Sequence, residues 1–179
     1  MSIIKPEGKA ITRSFRLDKA WDTALNELSE KYGLSISSLL ERIVRDYLLF
    51  YQWVEELDSV IFSQGTLIQI INAVDEDELR KIGRIVAKST FTESYLVRGD
   101  SLDMETVRFQ ITEQMGKYAH WFTVEEHKTN QHYFYIMHGL GEKWSAFIEA
   151  YVRGMIEDVA GIKMSTERIG NNILVKLLN

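Results

Sequence analysis

The chain has 179 residues, of which 45% are apolar and 11% aromatic, with a net charge of −5. This composition supplies a core and excludes global disorder, and the absence of cysteine excludes disulfides, thiolate metal sites and cysteine nucleophiles. No apolar run approaches the roughly 18 residues of a membrane span, and the start lacks a signal-peptide core, so a soluble cytoplasmic protein is expected.

Residues 1–9 read as an arm, with Pro6 and Gly8 opposing regular structure. This arm opens the one basic stretch of the chain. Residues 1–17 hold Lys5, Lys9, Arg13 and Arg16 against Glu7 alone, a balance of +3 that leaves −8 on the remainder. An acidic body with a basic arm suits a protein that touches phosphate through that arm.

Residues 10–17 alternate as a strand does, with Ile11, Arg13, Phe15 and Leu17 on one face and Thr12, Ser14 and Arg16 on the other. Asp18 suits a helix N-cap, and Trp21, Leu25, Leu28 and Tyr32 follow as a helical stripe. Gly33 fits the left-handed end of that helix, with Leu34 after it. Ser35 reads as the next N-cap, before a second stripe of Leu39, Leu40, Ile43, Val44 and Tyr47. No Gly or Pro interrupts residues 35–63, so this helix either runs on through Phe50, Tyr51, Trp53 and Val54 or breaks near Leu57-Asp58-Ser59.

An apolar segment over 66–72 comes next. Asp75 and Glu78 resemble a capping box, opening a helix through Leu79, Ile82, Ile85 and Val86. Residues 89–101 read as loop with a short strand at 95–97. Residues 103–116 fit a helix through Met104, Val107, Ile111 and Met115, or a strand through Val107, Phe109 and Ile111. Gly116 as a terminator favours the helix. Residues 119–127 and 132–138 form a predicted hairpin, 142–159 a helix, and 162–167 with 173–178 a second hairpin around Ile169-Gly-Asn-Asn172. The expected fold is α+β, with helices leading into a four-stranded β-β-α-β-β sheet. Its expected parts are residues 1–50, a helical linker at 51–102, and an oligomerisation or sensing domain at 103–179.

The order of strand, capped helix, Gly33-Leu34-Ser35 turn and helix, with the strand ending Phe15-Arg16-Leu17-Asp18, resembles the ribbon-helix-helix family of DNA-binding proteins over about 40 residues. One strand cannot satisfy its own edge, whereas two copies paired antiparallel make a ribbon that fits the DNA major groove. The resemblance implies that Thr12, Ser14 and Arg16 face outward and read bases. It also implies that Ser35 and the amides near Ile36 and Ser37 hold a phosphate at a helix N-terminus. Lys5, Lys9 and Arg13 would add phosphate contacts. Arg13 departs from the family pattern, because it occupies an inward position where an apolar residue is usual. The implied function is a homodimeric transcription regulator on double-stranded DNA, able to assemble further and to answer a small-molecule or metal effector. The alternative is an antitoxin-like adaptor that binds a protein partner.

All four histidines fall within 120–138. A hairpin centred between Thr129 and Asn130 would set His127 across from His132, on one face with His138, while His120 points away. His127, His132 and His138 are therefore candidate ligands for Zn²⁺ or Ni²⁺, aided by Glu125 or Glu126. Their spacing matches no familiar metal motif, and exposed hairpin histidines need no ligand. No other cofactor is expected. The glycines of His138-Gly-Leu-Gly141 either admit a ligand or only make the turn, and Trp144, Phe147 and Tyr151 read as core. No Ser-His-Asp order, P-loop or paired acidic motif stands out, so no enzymatic activity is expected.

Overall fold

Helix formation begins where Asp18 supplies a cap. In the computed structural model, which describes residues 8–128 and 130–178, the Asp18 carboxylate accepts the Ala20 N–H at 2.8 Å and starts α1, Lys19–Tyr32. Gly33 ends α1 at φ +63°, a conformation glycine adopts without a Cβ clash, and the Leu34 N–H returns to the Ser29 carbonyl. Ser35 then caps α2, its Oγ accepting the Ser38 N–H at 3.1 Å. α2 runs unbroken over 36–56, with a widened turn at Tyr47–Tyr51. Asp58, at φ +47°, stops it, so the break near Leu57-Asp58-Ser59 is the observed ending.

Two compact units result, one over 8–59 and one over 60–178. The boundary lies after Ser59 rather than at residues 50 and 102. Residues 51–56 complete α2, and the helices expected to form a linker contribute to the core of the second unit.

In the first unit Leu39 alone among the described residues is buried. The strand expected over 10–17 is not formed. That segment carries no regular structure, has no ladder partner among the described residues, and is exposed throughout. Backbone groups with no neighbouring strand have nothing to pair with but water.

The second unit is α+β. Its helices are α3 (Gln64–Asn72), α4 (76–98), α5 (104–118) and α6 (142–159). α4 is longer than predicted: residues 89–98, expected as loop with a short strand at 95–97, are instead its last turns, closed by Gly99, and the expected loop is confined to 99–101. Ala87, Phe91 and Tyr95 continue the four-residue step of Leu79 and Gly83 and are buried. Burial of two aromatic rings, worth about 1.5–3 kcal/mol for a side chain of phenylalanine size, overrides the weak helix propensity of Ser89, Thr90, Thr92 and Ser94. At the start of α4, Asp75 has the backbone geometry of a cap but makes no side-chain capping bond. The acidic first turn, Glu76, Asp77 and Glu78, complements the helix dipole instead. α5 is the helix favoured for 103–116. It runs on to Tyr118, with Gly116 inside it, packed near Val124.

Four antiparallel strands, β1 (Thr123–Lys128), β2 (His132–Met137), β3 (Met164–Ile169) and β4 (Asn172–Leu177), form one sheet in the order β1-β2-β4-β3. Phe134 and Ile136 of β2 stand opposite Val175 and Ile173 of β4, and all four are buried in one core cluster with Ile148, Val152 and Met155 of α6. The aromatic set read as core is core, since Trp144, Phe147 and Tyr151 are all buried. Trp121 lies against them at 5.4, 6.2 and 5.9 Å between ring centres.

A charged clasp ties α4, α6 and β3 together. Glu149, 16% exposed, accepts from Thr166 Oγ1 at 2.5 Å, Arg168 Nε at 2.9 Å and Arg80 Nη1 at 3.2 Å. No helix among the described residues is long and apolar enough to cross a membrane.

Candidate nucleic-acid interface

Polar and basic side chains of the N-terminal segment stand free in solvent. Lys9, Thr12, Arg13, Ser14 and Arg16 are all exposed, and no acid occurs between residues 8 and 17. Lys5 lies outside the described residues. The apolar residues of the same segment are equally uncovered: Ile11, Phe15 and Leu17 are 71%, 59% and 44% exposed.

The helices behind this segment repeat the pattern. Trp21 on α1 is 67% exposed, and Ile43, Val44 and Tyr47 on α2 are also uncovered. Both stripes fall on capped helices, as their spacing predicted, yet within one chain they bury almost nothing. A unit of this size is near the lower limit for a single core even when its apolar residues are covered.

At the start of α2, the Ser35 hydroxyl is engaged with its own helix, meeting the Ser38 N–H at 3.1 Å and the Ser38 hydroxyl at 2.8 Å. Ser37 is exposed. The first-turn N–H groups and the helix dipole give this end a positive potential, while the Ser35 side chain serves as a cap.

The histidines do not assemble. Pairing in the first hairpin sets Lys128 opposite His132 and His127 opposite Tyr133, one residue away from the predicted register. A slip of one residue turns every side chain to the other face, so His127 and His132 point to opposite sides of the sheet. His127 stacks on Tyr133 at 4.8 Å. His132 Nε2 meets Glu126 Oε1 at 2.8 Å. Burial works to raise the Glu126 pKa, but hydrogen bonds from Lys128, His132 and Arg108 outweigh it and hold the carboxyl below its ordinary range.

His138 is committed elsewhere. Its Nδ1 accepts the Leu140 N–H at 3.3 Å, so Nε2 carries the hydrogen and donates to Ser145 Oγ at 3.0 Å. Burial, with a contribution from the Arg168 charge, lowers its pKa. The proposed trio of His127, His132 and His138 is therefore no metal site, and no group of three or more His, Asp or Glu among the described residues could hold a metal ion.

A cavity of about 550 Å³, not evident from the sequence, lies in the second unit where the end of α5, the start of β1 and the 138–141 loop meet. Lys117, His120, Trp121 and Thr123 line it. Only the glycines flanking Leu140 hinted at it.

Comparison with known protein families, with curated proteins and with solved structures finds no match.

Proposed function

We propose that this protein is a homodimeric, sequence-specific DNA-binding regulator of the ribbon-helix-helix kind, working in the cytoplasm. Two N-terminal segments pair antiparallel, covering Phe15 and Leu17 against α1 and α2 of both chains. Thr12, Ser14 and Arg16 then face outward into the major groove. Arg16 donates two hydrogen bonds to guanine O6 and N7, and the Thr12 and Ser14 hydroxyls meet neighbouring base edges. Lys5, Lys9 and Arg13, with the N-terminal amides of α2, hold phosphates and fix the register.

The observation that carries this reading is the uncovered apolar face of the first unit. Among the described residues of this unit, helices with well-formed caps and regular stripes leave Leu39 as the one buried residue, beside a basic segment whose backbone has no ladder partner among them. A second copy supplies both missing halves.

The test is selection of bound sequences from random duplex DNA, followed by titration with the wild type and with Arg16→Ala. The variant should lose about 1–3 kcal/mol on the selected sequence and discriminate less at the guanine position. A protein-interaction adaptor would enrich no sequence and leave every duplex unshifted.

A further inference from the structure

The cavity of the second unit has the marks of a ligand site, and its occupation can be measured without DNA. Its volume of about 550 Å³ falls in the usual range for small-molecule pockets. Four features of its wall narrow the ligand class.

His120 is the first. It follows α5 in the left-handed region, at φ +54°, where glycine is usual and an imidazole is strained. Its side chain is exposed and has no hydrogen-bond or ion-pair partner among the described residues. The conformation is that of a helix C-cap, the Trp121 N–H returning to the Met115 carbonyl at 3.0 Å and the Ala119 N–H to the Gln114 carbonyl at 2.9 Å, and it leaves the imidazole on the cavity wall.

The second is the sign of the wall. Among the described residues no Asp or Glu lines the cavity, although the chain carries 26 acidic residues against 21 basic. Lys117 lines it close to His120, its ammonium 2.6 Å from Glu113 of the same helix and 5.1 Å from the Tyr118 ring centre.

The third is a flat apolar surface. Trp121, half-buried, has its ring held by Trp144, Phe147 and Tyr151. The fourth is rigidity in the 138–141 loop, where His138 bonds to Leu140 and Ser145.

We propose that this cavity binds a small organic anion, a carboxylate or a phosphate monoester carried on a flat ring. The ring lies against Trp121, and the anionic group accepts hydrogen bonds from His120, Lys117 and the Thr123 hydroxyl.

The full-length protein is titrated calorimetrically with 1-naphthoate, with 1-naphthyl phosphate and with neutral naphthalene-1-carboxamide. One anion should bind about tenfold or more tightly than the carboxamide, as charge-assisted hydrogen bonds require. The stronger of the two identifies carboxylate or phosphate as the recognised group. His120→Gly should keep or raise the thermal midpoint while weakening the anion about tenfold. Gly139→Phe, at a backbone position that accepts any side chain and where a Cβ meets nothing within 4 Å, should remove binding and leave the fold intact by circular dichroism. Absence of binding, equal affinity for the neutral probe, or unchanged affinity in His120→Gly overturns the proposal.

Discussion

Gly154 stands directly against Ala87: a Cβ placed on Gly154 would lie 2.5 Å from the Ala87 Cβ. One helical step away along the same contact, a Cβ on Gly83 would lie 2.7 Å from the Phe147 carbonyl oxygen. These two glycines allow α4 and α6 to approach until backbone meets backbone. Gly154→Ala should therefore destabilise the protein by about 1–3 kcal/mol through overpacking, despite the gain of about 1 kcal/mol in helix propensity. Thermal and urea unfolding of the variant check this, and an unchanged midpoint would mean that the helices are not in close contact.

The Glu149 clasp gives a prediction in charge and in pH. Glu149→Gln removes one of the two carboxylates that Arg80 and Arg168 share and leaves them with Glu76, at 2.7 and 3.4 Å. The loss should be about 1–3 kcal/mol, less than for a fully buried pair because both arginines are partly in solvent. Burial works to raise the Glu149 pKa, but the hydrogen bonds from Thr166 and Arg80 and the Arg168 charge outweigh it and lower the pKa. Glu126 is lowered as well. A carboxylate held low in the folded state contributes stability that is complete above the unfolded value, about 4.3 for Glu, and is lost as pH falls through the folded one. Stability should fall below about pH 4.5, and less steeply in Glu149→Gln.

His138 adds a separate step at higher pH. Its folded pKa is lowered, so the folded protein favours the neutral ring while the unfolded chain takes up a proton near pH 6.5. This contribution is complete above that value and declines as pH falls toward the folded pKa. The His138 ring signal in an NMR titration should have a midpoint below 6.5, the ordinary value for histidine.

Those residues also mark what local chemistry could and could not convey. Asp18, Gly33 and Ser35 were legible as caps because a cap is a property of a few adjacent residues. The same holds for α6 and for the four-strand pattern, where apolar spacing is regular. The last turns of α4 were hidden by Ser and Thr, whose weak propensity gives way only when Phe91 and Tyr95 find a core distant in sequence. The hairpin register depended on one residue of turn length, and that residue decided whether His127 and His132 shared a face. His120 carried no signal in sequence, because its strain exists only once α5 ends where it does.

Salt dependence should report how many phosphates the N-terminal segments neutralise. If Lys5, Lys9 and Arg13 of two chains each meet one phosphate, log K should fall against log salt with a slope of about −5. Lys9→Ala, which removes two contacts per dimer, should reduce that slope by about 2 while leaving the preferred sequence unchanged. A slope near zero would assign these side chains to something other than phosphate.

The union of two N-terminal segments can be measured directly, because a chain without cysteine accepts a single engineered label. Ser14→Cys carrying a nitroxide should give one sharp intermolecular distance by double electron–electron resonance, below about 20 Å, since paired strands lie about 5 Å apart and seven residues span only about 24 Å. A purely monomeric protein with no dipolar coupling, or a dimer whose labels lie much further apart, would contradict the paired ribbon and the DNA reading with it.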